Sequence, residues 1–123
     1  GRGEFDARAI DRLRGMGRWM HHNSRSIYGC SASDYVAPSD CRYTQNGKRL
    51  YLHIFAWPFK HIQLDDLAGK VAYAQFLHDA SEVRYREFDA AAEVQRSKEG
   101  QITLSLPVIK PDVTIPVIEL FLK

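Results

Sequence analysis

The fold is decided by residues 41–58, CRYTQNGKRLYLHIFAWP. Two runs of β-forming residues, 41–44 and 49–55, flank the dipeptide Asn46-Gly47, which is among the strongest short signals for a β-hairpin. In the second run the residues alternate between the two faces of a strand, with Leu50, Leu52 and Ile54 on one face and Tyr51, His53 and Phe55 on the other. Trp57-Pro58 ends the strand, because proline has no backbone N–H to donate.

The chain after residue 58 repeats this pattern of short β-rich runs separated by turn residues. Further strands are predicted at residues 61–64, 70–77, 82–88, 101–106 and 114–122. Pro116 removes one donor from the last run, which predicts that this strand is an edge strand or is bulged at that point. Residues 90–99 favour neither a helix nor a strand. The even spacing predicts a mainly β fold, an antiparallel β-sandwich of about seven to eight strands.

The segment from Phe5 to about His22 has a different period. Its apolar residues recur at steps of three and four with charged residues between them, which predicts one amphipathic α-helix ahead of the sandwich. The apolar stripe consists of Ala9, Ile10, Leu13, Met16 and Met20. Gly15 and Gly17 lie inside this helix, where each costs about 1 kcal/mol relative to alanine. We therefore expect close packing of the helix against another element.

Composition and charge exclude several classes of partner. The chain has 123 residues, of which 45% are hydrophobic and 26% charged, so a single globular core is expected. Its 17 basic and 15 acidic residues are interspersed and leave a formal net charge of +2, without the basic stripe that a nucleic acid needs. No window approaches the ~20 apolar residues that span a membrane. We expect neither nucleic acid nor a membrane as a partner.

Two cysteines, Cys30 and Cys41, flank residues 31–40. One interpretation is a disulfide that closes a short surface loop in an oxidising compartment, and the other is two reduced, partly buried thiols. The pair has no CxxC spacing and no clustered histidines beside it, so a zinc site is not predicted. Nothing else in the sequence indicates a metal or a cofactor.

Motifs in both halves of the chain follow an order that resembles a known family. The first half contains RLRGMGRWM at residues 12–20, followed by Asn23 and by IYG at residues 27–29, and the second half contains LYLHIFAWP at residues 50–58. This order resembles the C-terminal region of bacterial α-L-fucosidases, glycoside hydrolase family 29. In that family the first motif belongs to the final helix of the catalytic barrel and the second to a C-terminal β-sandwich. Ser24-Arg25-Ser26 departs from the family's usual Gly-Glu-Ala.

The resemblance implies a division into three parts. Residues 1–29 are expected to be a remnant of the final helix of the (β/α)8-type barrel, residues 30–40 a linker, and residues 41–123 the sandwich domain. The linker segment is rich in Ser, Ala, Asp and Pro. Its apolar residues follow neither the helical nor the strand period, which agrees with this division.

The resemblance also implies a role without catalysis. Retaining fucosidases need two carboxyl groups about 5 Å apart, and the family's pattern places both before residue 1, so no catalytic residue is expected here. The expected function is to support and pack on the catalytic barrel of a parent enzyme that hydrolyses terminal α-L-fucosyl linkages with retention. A periplasmic or secreted parent fits this function. In the absence of the barrel, self-association is expected through the stripe Ile10, Leu13, Met16 and Met20.

An alternative function is a free-standing carbohydrate-binding β-sandwich module, since aromatic side chains on such folds can stack on sugars. The candidate sugar-binding residues are Trp57 and Tyr73. Trp57 follows a strand and precedes Pro58, where an aromatic ring also serves to seal the edge of a sandwich. The sequence therefore leaves support of a barrel and sugar binding as two separate hypotheses.

Overall fold

The computed structural model describes residues 7–58, 60–87 and 99–123, with side chains from residue 14 onward. In this part of the chain one α-helix precedes seven β-strands: α1 (Ala7–Asn23), a 3-10 turn (Ser24–Ser26), β1 (Cys41–Asn46), β2 (Arg49–Ile54), β3 (His61–Leu64), β4 (Val71–Phe76), β5 (Arg84–Glu87), β6 (Ile102–Ser105) and β7 (Val117–Leu122). The ambiguous residues 90–98 and the predicted start of the helix at Phe5 lie outside the described residues.

The strands form two antiparallel sheets that share one core. One sheet has the order β1-β2-β7-β4 and the other the order β3-β6-β5. Buried apolar side chains from both sheets belong to a single cluster, including Leu52, Phe76 and Leu120 from the first and Leu64 and Leu104 from the second. The sheets therefore face each other as in a β-sandwich, and the predicted fold class is confirmed.

The hairpin predicted at Asn46-Gly47 joins β1 to β2. Asn46 is paired with Arg49, so Gly47 and Lys48 form a two-residue turn. Gly47 has a φ of 58°, in the left-handed region that such turns require and that glycine adopts without a steric penalty. The predicted alternation in β2 is also confirmed, because Leu50, Leu52 and Ile54 all lie in the core shared by the two sheets.

The position of β7 corrects the prediction made from Pro116. The strand begins at Val117, directly after the proline, and lies between β2 and β4 in the middle of its sheet. Pro116 still contributes its carbonyl, which accepts a hydrogen bond from Ile54 N at 3.0 Å. A proline just before a strand withdraws no donor from the ladder, so an edge position is not required. The one irregularity in the pairing of β7 lies at its other end, opposite Val71 and Tyr73.

The chain crosses from the first sheet to the second shortly after β4. Phe76 N donates to Ser81 O, and Val83 N donates to Ala74 O, each at 2.9 Å. Residues 81–83 therefore still pair with β4, whereas Arg84, the next residue, begins β5 in the opposite sheet. This crossing ties the two sheets together through three consecutive residues.

The outer face of the four-stranded sheet is covered by the N-terminal helical segment. Trp19 of α1 and Cys30 pack on a second apolar cluster formed by Tyr51, Leu77 and Val117. These side chains point away from the main core, because they alternate with the core residues along β2, β4 and β7. Both faces of this sheet are therefore buried where the helical segment lies on it.

The glycines of α1 do not have the close packing expected for them among the described residues. A Cβ at Gly17 would meet no atom within 4 Å, and a Cβ at Gly15 would meet only the Arg18 guanidinium, at 3.8 Å. The helix contacts the sheet through Trp19 and the residues after it. The expectation of close packing at these two glycines is thus wrong for this part of the chain.

A buried carboxylate fixes the helical segment to the sheet. Glu119 of β7 is 3% exposed, and its Oε1 accepts hydrogen bonds from Arg25 Nη2 at 3.3 Å and from Gln75 Nε2 at 2.8 Å. The Tyr51 hydroxyl also hydrogen-bonds to Glu119, and burial together with this bond raises the pKa of Tyr51 to about 12. Three donors from three elements thus converge on one buried carboxylate, which offsets the cost of removing it from water.

A buried histidine makes a second connection between the same elements. His53 of β2 lies with Nδ1 3.2 Å from Arg42 O and Nε2 3.0 Å from Ser26 Oγ. In the neutral ring Nδ1 carries the proton, because the Arg42 carbonyl can only accept, and the single proton of the Ser26 hydroxyl has two acceptors within reach, Nε2 and Asn23 O at 2.8 Å. Burial lowers the pKa of His53, and the hydrogen bond to the Arg42 carbonyl opposes that shift only partly.

The convergence of three donors on Glu119 predicts that Glu119→Gln is destabilising. A glutamine amide has one acceptor oxygen instead of two and turns an NH₂ group toward donors, so at least one buried donor loses its partner. We expect the free energy of unfolding to fall by about 1–3 kcal/mol in urea titrations. Glu82→Gln at an exposed position is the control, with an expected change below about 0.5 kcal/mol. Equal stabilities of the two variants would contradict this role of Glu119.

The lowered pKa of His53 predicts a loss of stability in mild acid. Below the ordinary pKa of 6.5 His53 is protonated in the unfolded chain but still neutral in the folded chain. The free energy of unfolding therefore decreases as the pH is lowered, until the pH reaches the folded-state pKa. Urea titrations between pH 7 and about pH 5 measure this slope. His53→Gln is expected to flatten it, whereas His21→Gln at an exposed position retains it. An unchanged slope in His53→Gln would show that another group is responsible.

Candidate functional site

A cleft of about 440 Å³ lies where the C-terminal half of α1 meets residues 112–114. Its wall includes Arg18, Trp19 and His22 from the helix. Asn23 closes it at the end of the helix, and His78, which follows β4, lines it from the sandwich. The cleft therefore depends on the docking of the helix on the sheet, and we call it the helix cleft.

Trp19 is held at the wall of the helix cleft by one hydrogen bond from its indole ring and one to its backbone carbonyl. Its Nε1 donates to Ile115 O at 3.0 Å, and the Trp19 carbonyl accepts from Asn23 Nδ2 at 3.0 Å. Ile115 has a φ of 48°, which is rare for a β-branched residue. Such a conformation persists only where the surrounding structure holds it, so the cleft wall is preformed.

Two polar atoms of cleft residues are buried without a hydrogen-bond partner among the described residues. They are Asn23 Oδ1 and His78 Nδ1. Asn23 is fully buried, and His78 uses its other nitrogen, Nε2, for a 3.4 Å contact with Asp79. An unpaired buried polar atom costs about 1–3 kcal/mol. Both atoms are closed off from solvent, so their missing partners are a cost of the packing around the cleft.

The carboxylate beside His78 is kept ionised by its neighbours. Burial raises the pKa of Asp79, but hydrogen bonds from Ser81 and the charge of His78 outweigh burial, and the pKa is lowered overall. The Ser81 hydroxyl and backbone N–H both donate to Asp79 Oδ1, at 2.6 and 2.9 Å. Asp79 thus holds the turn after β4 and the His78 ring in place.

The two predicted sugar-binding residues lie in different surroundings. The Trp57 ring stacks on Phe76 with centroids 6.3 Å apart, and its Nε1 donates to Pro107 O at 3.2 Å, which matches the function of sealing the sandwich edge. Tyr73 is 38% exposed and packs edge-on against Phe121, whose ring also carries the Arg49 guanidinium at 4.0 Å. The structure does not bring Trp57 and Tyr73 together into one site.

Both cysteines are free thiols in the structure, so the disulfide considered from the sequence is not formed. Cys41 belongs to the main core and Cys30 packs on the outer cluster. The Cys30 thiol donates to Arg25 O at 3.2 Å. Burial raises the pKa of Cys41 to about 11, which leaves little thiolate for thiol chemistry at neutral pH.

The described residues contain no group of three or more His, Cys, Asp or Glu side chains that could hold a metal ion. Among them, no helix has the length and apolar character needed to cross a membrane. The buried carboxylate that the structure describes, Glu119, is occupied by three donors and is not available to a substrate.

Sequence reasoning missed the helix cleft, although two of its residues, Trp19 and Asn23, had been noted as motif residues. Their placement at the end of α1, four residues apart, was a signal that both side chains share one face of the helix. The contribution of His78 and of residues 112–114 depends on tertiary packing that no local pattern indicates.

Comparison with known proteins identifies the fold. No protein-family model and no curated protein matches this sequence. Among solved structures, α-L-fucosidase isoenzyme 1 from Paenibacillus thiaminolyticus matches with a TM-score of 0.83 and 35% identity, over 98% of this chain and 28% of that one. A family 29 α-L-fucosidase from Bacteroides thetaiotaomicron matches with a TM-score of 0.77 and 18% identity, over 98% and 26%.

A third structure, the α-fucosidase from Thermotoga maritima, matches with a TM-score of 0.70 and 17% identity, over 97% of this chain and 27% of that one. The two more distant matches show the fold alone. The chain spans little more than a quarter of the length of each of these enzymes. The motif order, together with 35% identity over nearly the whole chain, shows that this chain belongs to the family 29 α-L-fucosidases and corresponds to their C-terminal region.

Proposed function

We propose that this chain is the non-catalytic β-sandwich part of an α-L-fucosidase, which supports the catalytic barrel by packing against it. The observation that carries the proposal is the match over 98% of this chain but only 28% of the Paenibacillus enzyme. Residues 1–29 would then be the last helix of the barrel, residues 30–40 the connection and residues 41–123 the supporting domain. The longer protein would hydrolyse terminal α-L-fucosyl linkages with retention.

The connection proposed for residues 30–40 is itself bound to the sandwich. Ser31 and Gln45 exchange both backbone hydrogen bonds at 2.9 Å, and the Tyr35 ring lies edge-on to Tyr43, with centroids 6.5 Å apart. A connection that lies along β1 in this way restricts how the helix can move relative to the sandwich. This restriction supports a domain that positions a barrel element.

The exposed side of α1 supports the proposal that a second structural unit packs on this helix. Met16 is 64% exposed, and there is open space around Gly17. Trp19, on the other hand, donates a hydrogen bond to Ile115 O beside β7, and Asn23 is fully buried. A helix with apolar surface on the side away from its own sandwich is suited to lie between that sandwich and a second structural unit.

The contacts of two described acids, Glu119 and Asp79, support a role without catalysis. A retaining glycosidase needs one carboxylate free to attack the sugar and a second carboxyl group about 5 Å away. Glu119 is held by donors, and Asp79 is held by the turn that it caps. Neither is free to serve as a nucleophile.

This proposal predicts that the purified chain releases no fucose from a chromogenic α-L-fucoside. A full-length family 29 α-L-fucosidase, assayed in the same buffer, is the positive control. Circular dichroism and dispersed amide resonances establish that the chain is folded during the assay. Fucose release that co-purifies with the folded chain would overturn the proposal.

The exposed side of α1 predicts that the isolated chain self-associates. Sedimentation over a concentration series is expected to show a dimer or larger species, and Met16→Lys is expected to shift the chain to monomer, because a buried charge without a partner is unfavourable. Tyr28→Lys changes another exposed side chain (72% exposed) and is the control, with no expected effect. A folded chain that stays monomeric at every concentration would show that this side needs no partner.

A further inference from the structure

We propose that the helix cleft binds a single hydroxyl-rich ring of monosaccharide size. This site is separate from the predicted candidates Trp57 and Tyr73. The proposal does not require that the chain be part of a fucosidase, because it rests on the cleft's own groups.

The size and shape of the helix cleft are suited to a small ligand. Its volume of about 440 Å³ lies in the usual range for small-molecule sites, roughly 300–1,000 Å³. Trp19 is fixed at the wall by its bond to Ile115 O, and Ile115 is held in a left-handed conformation. The Trp19 side chain is therefore already ordered before a ligand binds, so binding does not have to include the entropic cost of fixing it.

The polar groups of the cleft match alternating hydroxyls better than a single charge. Arg18 and His22 supply donors, whereas the Asp112 carboxylate supplies acceptors, and all three line the cleft. A simple anion would be repelled by Asp112, and a simple cation by Arg18. A sugar hydroxyl can both donate and accept, so neighbouring hydroxyls on one ring can satisfy groups of both kinds.

Asn23 and His78 complete the polar lining of the cleft. Asn23 Oδ1 and His78 Nδ1 are themselves closed off from solvent, so the hydroxyls of a ligand in the cleft would meet Arg18, His22 and Asp112 instead. Both residues line the cleft beside Trp19. Sites that combine an aromatic ring with a few convergent polar groups are typical of small-molecule binding.

The two tryptophans of the chain provide an internal control for the test. We would titrate the ¹⁵N-labelled 123-residue chain with L-fucose, D-galactose and D-glucose, and separately with inorganic phosphate, while recording the indole N–H resonances. Saturable movement of the Trp19 resonance with at least one sugar, while the Trp57 resonance stays in place, is the expected result. The Trp57 resonance also reports that the sandwich stays folded.

Variants at the cleft mouth give the proposal its second test. His22→Ala and Asp112→Asn change exposed cleft residues and are each expected to weaken sugar binding about tenfold, the loss of roughly one hydrogen bond. Tyr28→Ala, at an exposed position outside the cleft, is expected to leave binding unchanged.

Four outcomes would overturn the proposal. The first is a Trp19 resonance that does not move with any sugar, and the second is movement of the Trp57 resonance in its place. The third is movement of the Trp19 resonance with phosphate as large as with the sugars, which would indicate an anion site. Sugar binding that is equally strong in Tyr28→Ala and His22→Ala would also place the ligand outside the helix cleft. None of these results bears on whether the chain supports a barrel, which the fucoside and sedimentation measurements test separately.

Discussion

The structure depends on the burial of the outer face of the four-stranded sheet beneath the N-terminal helical segment. A sheet in a two-layer sandwich normally leaves that face to solvent, but here Tyr51, His53 and Glu119 are each at most 5% exposed. Burying a carboxylate and an imidazole is favourable only if their hydrogen bonds are satisfied. Arg25 and Ser26, just past the helix, each contribute one of those bonds, and the covered face then holds the helix in one orientation.

This constraint explains why the helix and the sandwich act as one unit despite the irregular chain between them. Among the residues whose side chains the structure describes, the helix has no close contact at Gly15 or Gly17, and its contacts with the sheet lie at its C-terminal end. Trp19 and Asn23 contribute there together with the residues of the following turn. The same end forms the helix cleft, so the geometry of the cleft is a by-product of the contacts that dock the helix.

Local patterns in the sequence were sufficient for the sandwich and insufficient for its outer face. The alternation around Leu52 and the Asn46-Gly47 turn correctly predicted the hairpin, because both are short-range signals. Pro116 was misleading, since a proline that precedes a strand and one inside it look alike until the first residue of the strand is known. Glu119 gave no signal of its burial, because a lone acid between apolar residues usually marks a solvent-facing position, and its partners are distant in sequence.

The crossing after β4 has a consequence for how the molecule loses its structure. Ser81 and Val83 are hydrogen-bonded to one sheet, and Arg84 begins the other. The two sheets therefore cannot separate unless these hydrogen bonds break. Melting is therefore expected to be all-or-none, with no long-lived form that retains a single sheet. A cut placed in this short crossing would remove that coupling while leaving every core side chain in the molecule.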